Sequence, residues 1–364
     1  IDRSAVTRRV LLTGATGFLG GFLALDLLAA PDVELYALVR ADGDEQARGR
    51  LLDRLGVLAD RRGTPADDWR SRLHAVAGTL ADLAADAGRF PAMIDEVFHV
   101  AALVSLKERD RARLMQVNVE GTRAVLASAC AREASVVNYV STAYVAGTRS
   151  GTVPEGPVDE AHPTQNAYEE SKRIAERLVV EGCRAAGMRF RIFRPSIILG
   201  DSRDHRAESD FGVYHFANSV LALRMEICAR IPDYFRFNPL RMLGAPGHVL
   251  NFIAVDHAAR MLSRIAERAD TVDCYFHLVN PRDTQLTEIT RIIGETSKVD
   301  LRVVPDESEL NPIDTLLRSR TRILNCYLWN EKHFDSSAWQ VAELPAESLH
   351  LHAADYTRYL EEGW

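Results

Sequence analysis

The chain has 364 residues, 47% of them hydrophobic, and a formal net charge of −7. It is long for one simple nucleotide-binding unit and long enough for a sizeable core, and the acidic balance argues against nonspecific nucleic-acid binding. No apolar run approaches a membrane span, and residues 1–9 (IDRSAVTRR) are too short and too polar for a secretory signal, so a cytoplasmic location is expected.

The segment Val10-Leu11-Leu12 reads as a strand and Phe22 through Leu28 as a helix, with Gly14, Gly17 and Gly20 between them. Strand, glycine turn and helix in that order make a phosphate-binding start. The first glycine allows the tight turn, the second lets backbone approach a pyrophosphate, and the third lets helix and strand pack closely. The helix N-terminus then offers free N–H groups and partial positive charge. Further strands are predicted at 35–39, 73–77, 96–100, 136–141 and 190–194, with helices at 47–58, 110–132 and 169–183. Such alternation predicts an α/β fold, a Rossmann-type doubly wound parallel sheet over residues 1–200 with returning segments near 249–280.

Arg40 ends the second predicted strand. An acid there would bind the ribose 2′-hydroxyl of NAD, whereas arginine suits the 2′-phosphate of NADP, with Arg48 and Arg50 within reach on the next helix. Asp42, Asp44 and Glu45 weaken the local positive field. Downstream, Tyr168 and Lys172 stand four apart, which places them on one helix face. An ammonium beside a phenol favours the phenolate, so the tyrosine pKa is expected below its usual value of about 10. Such a tyrosine exchanges a proton with a carbonyl or hydroxyl oxygen, and Thr142 supplies a hydroxyl to the same oxygen.

After Gly200 the rhythm changes, and residues 201–364 are read mostly as a smaller substrate-binding lobe. It is interrupted by a returning strand near 249–253, with a helix at 287–296 and a strand at 300–304. Residues 211–228 carry apolar side chains at helical spacing, which suits a core helix more than a lipid channel. Arg318, Arg320 and Arg322 form a basic run, a solvated face or a docking point for an acidic carrier protein. The five cysteines are scattered, and His350 and His352 stand alone, so neither a metal site nor a disulfide framework is expected.

Gly14, Gly17, Gly20, Thr142, Tyr168 and Lys172 together resemble the extended short-chain dehydrogenase/reductases over about residues 8–280. The segments His99-Val100-Ala101-Ala102, Asn118 through Thr122 and Arg194 through Gly200 agree. Ala37-Leu38-Val39-Arg40, Phe276 through Pro281 and the tail YLWNEKHFDSSAW from Tyr327 are most similar to the thioester reductase branch. That branch comprises the terminal reductase domains of polyketide and nonribosomal peptide synthases and the fatty acyl reductases. One departure is Thr79, where the family usually has an aspartate that contacts adenine; Asp82 stands nearby.

The resemblance implies an NADPH cofactor contacted by Thr13, Gly14, Thr16, Gly17, Phe18, Leu19 and Gly20. It extends the contact set to Arg40, Arg50, Ala101, Ala102, Asn118, Tyr168, Lys172, Pro195, Ser196 and Ile198. It implies reduction of an acyl thioester, carried on phosphopantetheine of an acyl carrier protein or on coenzyme A, to an aldehyde or onward to the alcohol. Thr142, Tyr168 and Lys172 would be catalytic. The missing initiator methionine suits a trimmed chain or a domain of a larger synthase. Two alternatives stay open: a dehydrogenase or epimerase acting on a nucleotide sugar or a hydroxy or keto small molecule, and a non-catalytic NADP-binding regulator.

Overall fold

The computed structural model describes residues 7–64, 69–84, 88–207, 212–346 and 358–359. Seven parallel strands form the main sheet: β1 (Arg8–Thr13), β2 (Val33–Val39), β3 (Leu73–Ala77), β4 (Glu96–His99), β5 (Val136–Val140), β6 (Arg189–Pro195) and β7 (Cys274–Leu278). Their order is β7-β6-β5-β4-β1-β2-β3. The chain runs outward from β1 in one direction and restarts beside β1 at β4. That reversal opens a crevice at the carboxyl ends of β1 and β4, the general ligand position of doubly wound sheets.

Most strands are largely apolar because helices cover both faces, whereas β6 (RFRIFRP) alternates arginine with apolar residues and buries Arg191 and Arg194 on polar partners. On one face, α1 (Phe18–Leu28) and α2 (Asp44–Arg62) share a core with α6 (Val255–Ala266). On the other, α3 (Gly121–Ala131) and α4 (Ala167–Ala185) cover Leu11, Val97, Val137 and Ile192. The sequence missed α6 and β7 as elements, although Val255, Ala258, Ala259, Leu262 and Ile265 have helical spacing and are all buried.

The helix expected over 110–132 runs without a break from Arg111 to Ala131, but it is not a uniform α-helix. A short turn at Arg111–Leu114 leads into a π-helical turn, Met115–Glu120, before α3 begins. The π turn has local partners. The Asn118 side chain binds both backbone groups of Leu103, at 2.8 and 3.0 Å, and Gly121 lies so close to Leu80 that a β-carbon would sit 2.6 Å from it.

A second core gathers Leu199, Tyr214, Val220, Leu240, Phe252, Ile289 and Leu301 around α5 (Val213–Cys228). It is tied to the main sheet by short ladders. Phe252–Ala254 pairs with Ile197–Leu199, and Lys332–Phe334 pairs with Gly151–Val153. Beyond these, Ala338, Ala342 and Leu344 return to the first core. Phe211, His350 and His352 lie outside the described residues. Among the described residues, no helix is long and apolar enough to cross a membrane.

Candidate active site

A cavity of about 1060 Å³ opens at the crevice and extends between the two cores. Every residue assigned from the sequence to cofactor contact or catalysis lines it, except Arg50 and Asn118.

Gly14 has φ +84°, and a β-carbon there would lie 2.7 Å from the Ala101 nitrogen. The Gly17 N–H donates to the Gly14 carbonyl at 2.8 Å, closing the turn. A β-carbon on Gly20 would stand 2.0 Å from the same carbonyl oxygen, so only glycine lets α1 begin this close to β1. The loop is locked from below. Ala101 N–H donates to Thr13 Oγ1 at 3.2 Å, which leaves the threonine proton for His99 Nδ1 at 2.8 Å. His99 Nε2 then donates to Thr122 Oγ1 at 3.0 Å, and Thr122 donates to the Asn118 carbonyl at 2.6 Å. Burial holds this histidine neutral, with its pKa lowered to about 3, as the single-direction chain requires. His99 was visible in sequence only as part of a family phrase. Its role needs β1, β4 and α3 side by side.

Arg40 is exposed and lines the cavity just beyond the end of β2. Arg50 reaches the Arg40 carbonyl, and Arg48 donates to the Leu73 carbonyl at 3.2 Å, so both are committed to backbone. Asp44 is drawn away from the field at Arg40 by Ala77 N–H at 2.7 Å and Arg89 at 2.6 Å. Thr79 faces the cavity, and the Asp82 carboxylate behind it accepts from the Thr79 N–H and hydroxyl, both at 2.7 Å. Asp82 thus braces the turn instead of replacing the family's aspartate.

At the other end, the Asn166 side chain caps α4 by accepting from Glu169 N–H at 2.9 Å, and Tyr168 follows in the first turn. Thr142 ends the strand opposite, and its hydroxyl accepts from Tyr144 N–H at 3.3 Å. Asn118 Nδ2 donates to Ser171 Oγ at 2.9 Å, and Ser171 donates to the Tyr168 carbonyl at 2.7 Å, so Asn118 supports this helix from behind. Ser141 and Ser196 line the cavity with buried hydroxyl oxygens that have no protein partner. A tight glycine cradle and unpaired hydroxyls in one cleft fit a dinucleotide with a polar nicotinamide end.

The expected pairing of Tyr168 with Lys172 is corrected in one respect. Lys172 Nζ donates to the Val140 carbonyl at 2.7 Å and to Tyr139 at 3.2 Å, and lies 4.6 Å from the Tyr139 ring centre. Burial pushes the Tyr168 phenol above its usual value, with the Glu169 charge adding to the rise. Burial also lowers Lys172 to about 7, against the upward pull of Glu176. The cause is position: the ammonium is spent on β5 and does not draw the phenol down.

Facing this end, the second core contributes Val213, Phe216, Met242, Leu250, Phe252 and Leu328. Among the described residues, none of that core's lining side chains is charged. Arg318 and Arg320 pair with Glu307 and Glu226, so most of the basic run is neutralised locally.

The sequence profile of an NAD-binding family described as male sterility protein matches residues 12–262. A linear gramicidin synthase chain of Brevibacillus parabrevis is 29% identical over 82% of this chain, and an aldehyde reductase, lnaA, of Aspergillus flavus is 28% identical over 92%. The chain spans 6% of the first and 32% of the second. The crystal structure of the terminal R domain from the myxalamid PKS-NRPS pathway has a similar fold. Its TM-score is 0.76 at 22% identity, over 98% of this chain and 90% of that one.

Proposed function

The chain belongs to the NAD-binding family described as male sterility protein, and on that premise we propose that it is a nicotinamide-dependent oxidoreductase that releases an acyl thioester reductively as an aldehyde, with NADPH as the reductant. The observation carrying this reading is that Thr142, Tyr168 and Lys172 line the same cavity as the glycine turn, facing an uncharged apolar wall.

When bound, the cofactor supplies a hydride to the thioester carbonyl carbon. The glycine turn and the N-terminus of α1 would hold its pyrophosphate, and Arg40 its 2′-phosphate. Thr142 donates a hydrogen bond to the carbonyl oxygen as charge develops there. Tyr168, kept protonated by burial, gives that oxygen its proton. A raised phenol pKa suits an acid, and so suits the reductive direction. Lys172 holds the β5 end through the Val140 carbonyl and Tyr139. The hemithioacetal then loses its hydroxyl proton, its C–S bond breaks, and the thiolate takes a proton, giving an aldehyde and a free thiol.

The apolar wall from α5 and its neighbours would take the acyl chain, making residues after 200 chiefly the substrate lobe, while the sheet with its returning α6 and β7 would be chiefly the dinucleotide domain. The phosphopantetheine arm of a carrier protein or of coenzyme A would deliver the substrate. The test is NADPH oxidation with octanoyl-pantetheine, with product analysis. Thioester-dependent formation of octanal or octanol supports the reading. Cofactor binding with turnover of simple aldehydes alone overturns it in favour of an ordinary carbonyl reductase.

A further inference from the structure

Tyr327 lies between Leu324 and Leu328 of the second core, far in sequence from Thr142 and Tyr168, yet it lines the same cavity. Its ring stands edge-on to Tyr144, with centroids 4.8 Å apart, and the Tyr144 N–H is the one that binds Thr142 Oγ1. Its hydroxyl accepts from Asn166 Nδ2 at 2.8 Å. Asn166 is the cap residue of α4, immediately before Ala167 and Tyr168. Having accepted one bond, the Tyr327 hydroxyl still carries its own proton, and the buried Glu169 carboxyl is close enough to act on it electrostatically. One phenol therefore touches both elements that carry the proposed acid and its hydroxyl partner.

The neighbouring chain fixes Tyr327 in place. Asn330 Nδ2 donates to Gln165 Oε1 at 3.0 Å, and Lys332–Phe334 pairs with Gly151–Val153. Lys332 is buried beside Glu169 and offsets its charge. Gln165 N–H donates to Glu169 Oε2 at 2.7 Å, so the first turn of α4 is bonded to the tail on two sides. Simple fold stability does not require the tail to meet the helix at its cap through a cavity-lining phenol. A phenol in the cavity wall that also holds the cap couples the wall to the direction of Tyr168.

We propose that Tyr327 is a positioning residue, which sets the orientation of Tyr168 through Asn166 and braces the Thr142 turn through Tyr144. This rests on the reductase reading given above. A small displacement of the acid's helix lowers the rate of proton donation without changing cofactor affinity, because the glycine turn and Arg40 lie at the other end of the cleft.

The experiment compares Tyr327→Phe, Asn166→Ser and the double variant, using NADPH with octanoyl-pantetheine and, separately, with octanal. Phenylalanine keeps the ring against Tyr144 and removes only the hydroxyl. Serine keeps a capping oxygen and removes the donor to Tyr327. The expected result is a roughly tenfold fall in kcat for each single variant, unchanged NADPH Kd, and a double variant no slower than the singles. A kcat within twofold of the parent, single effects that multiply, or a lowered melting temperature with normal kcat overturns the proposal. If Tyr327→Phe does not fold, Asn166→Ser breaks the same link and must show the same split between kcat and NADPH affinity. A parent that reduces octanal but no thioester overturns the release reading alone, and the positioning test is then read on octanal. A parent inert toward both overturns both.

Discussion

Replacing Lys172 with methionine is expected to stabilise the cofactor-free chain near neutral pH while removing its turnover. Lys172 is 2% exposed, and burial lowers its pKa from 10.5 to about 7. A fall of that size bounds the cost of folding with the charge inside at about 5 kcal/mol. Methionine also forfeits the bond to the Val140 carbonyl and the contact with the Tyr139 ring, together about 1–3 kcal/mol. The net gain expected is about 2–4 kcal/mol. Its pH dependence identifies the cause. Below about pH 7 the lysine is charged in both folded and unfolded chains, and the penalty is complete. Between about 7 and 10.5 the unfolded chain binds more protons, so the parent's stability rises with pH and the gap narrows. Above 10.5 both forms are neutral, and only the forfeited bonds separate the two proteins, now in the parent's favour. Denaturant unfolding of both proteins across that range measures the gap directly. A variant less stable than the parent at neutral pH, or a gap that does not move with pH, refutes the reasoning.

Arg40→Ala is expected to raise the KM for NADPH about 10–100-fold and leave that for NADH nearly unchanged, since one charge-assisted contact to the 2′-phosphate is lost; equal effects on both would remove Arg40 from that role. Gly20→Ala forces a β-carbon to within 2.0 Å of the Gly14 oxygen, so it is expected to cost about 1–3 kcal/mol of stability and to abolish NADPH binding in a fluorescence titration. Gly56→Ala, where nothing lies within 4 Å, is its control and is expected to bind normally. Tyr168→Phe is expected to lower kcat about 100-fold or more with NADPH affinity retained. An unchanged kcat would show that the proton comes from elsewhere.

The parts of this protein that the sequence determined are those encoded over short stretches. The glycine spacing at 14, 17 and 20 is set by local approach of one strand, one turn and one helix, so a few residues carry the whole requirement. The apolar runs in β1, β2 and β5 are equally local, because strands covered on both faces need no polar alternation. Tyr168 and Lys172 were legible as neighbours on one helix face because helical spacing is a local rule.

What that pair does was decided elsewhere. Lys172 is claimed by Val140 and Tyr139, which lie about thirty residues upstream and meet it only when α4 packs on β5. The direction of the Tyr168 shift follows from burial, which no spacing encodes. His99 becomes a link between the glycine turn and Asn118 only through partners on β1 and α3. Tyr327 reaches Asn166 across 161 residues of chain. Short-range geometry is written in the order of residues. Burial and the pairing of distant polar groups exist only once the chain has closed on itself, and they set the electrostatics of this site.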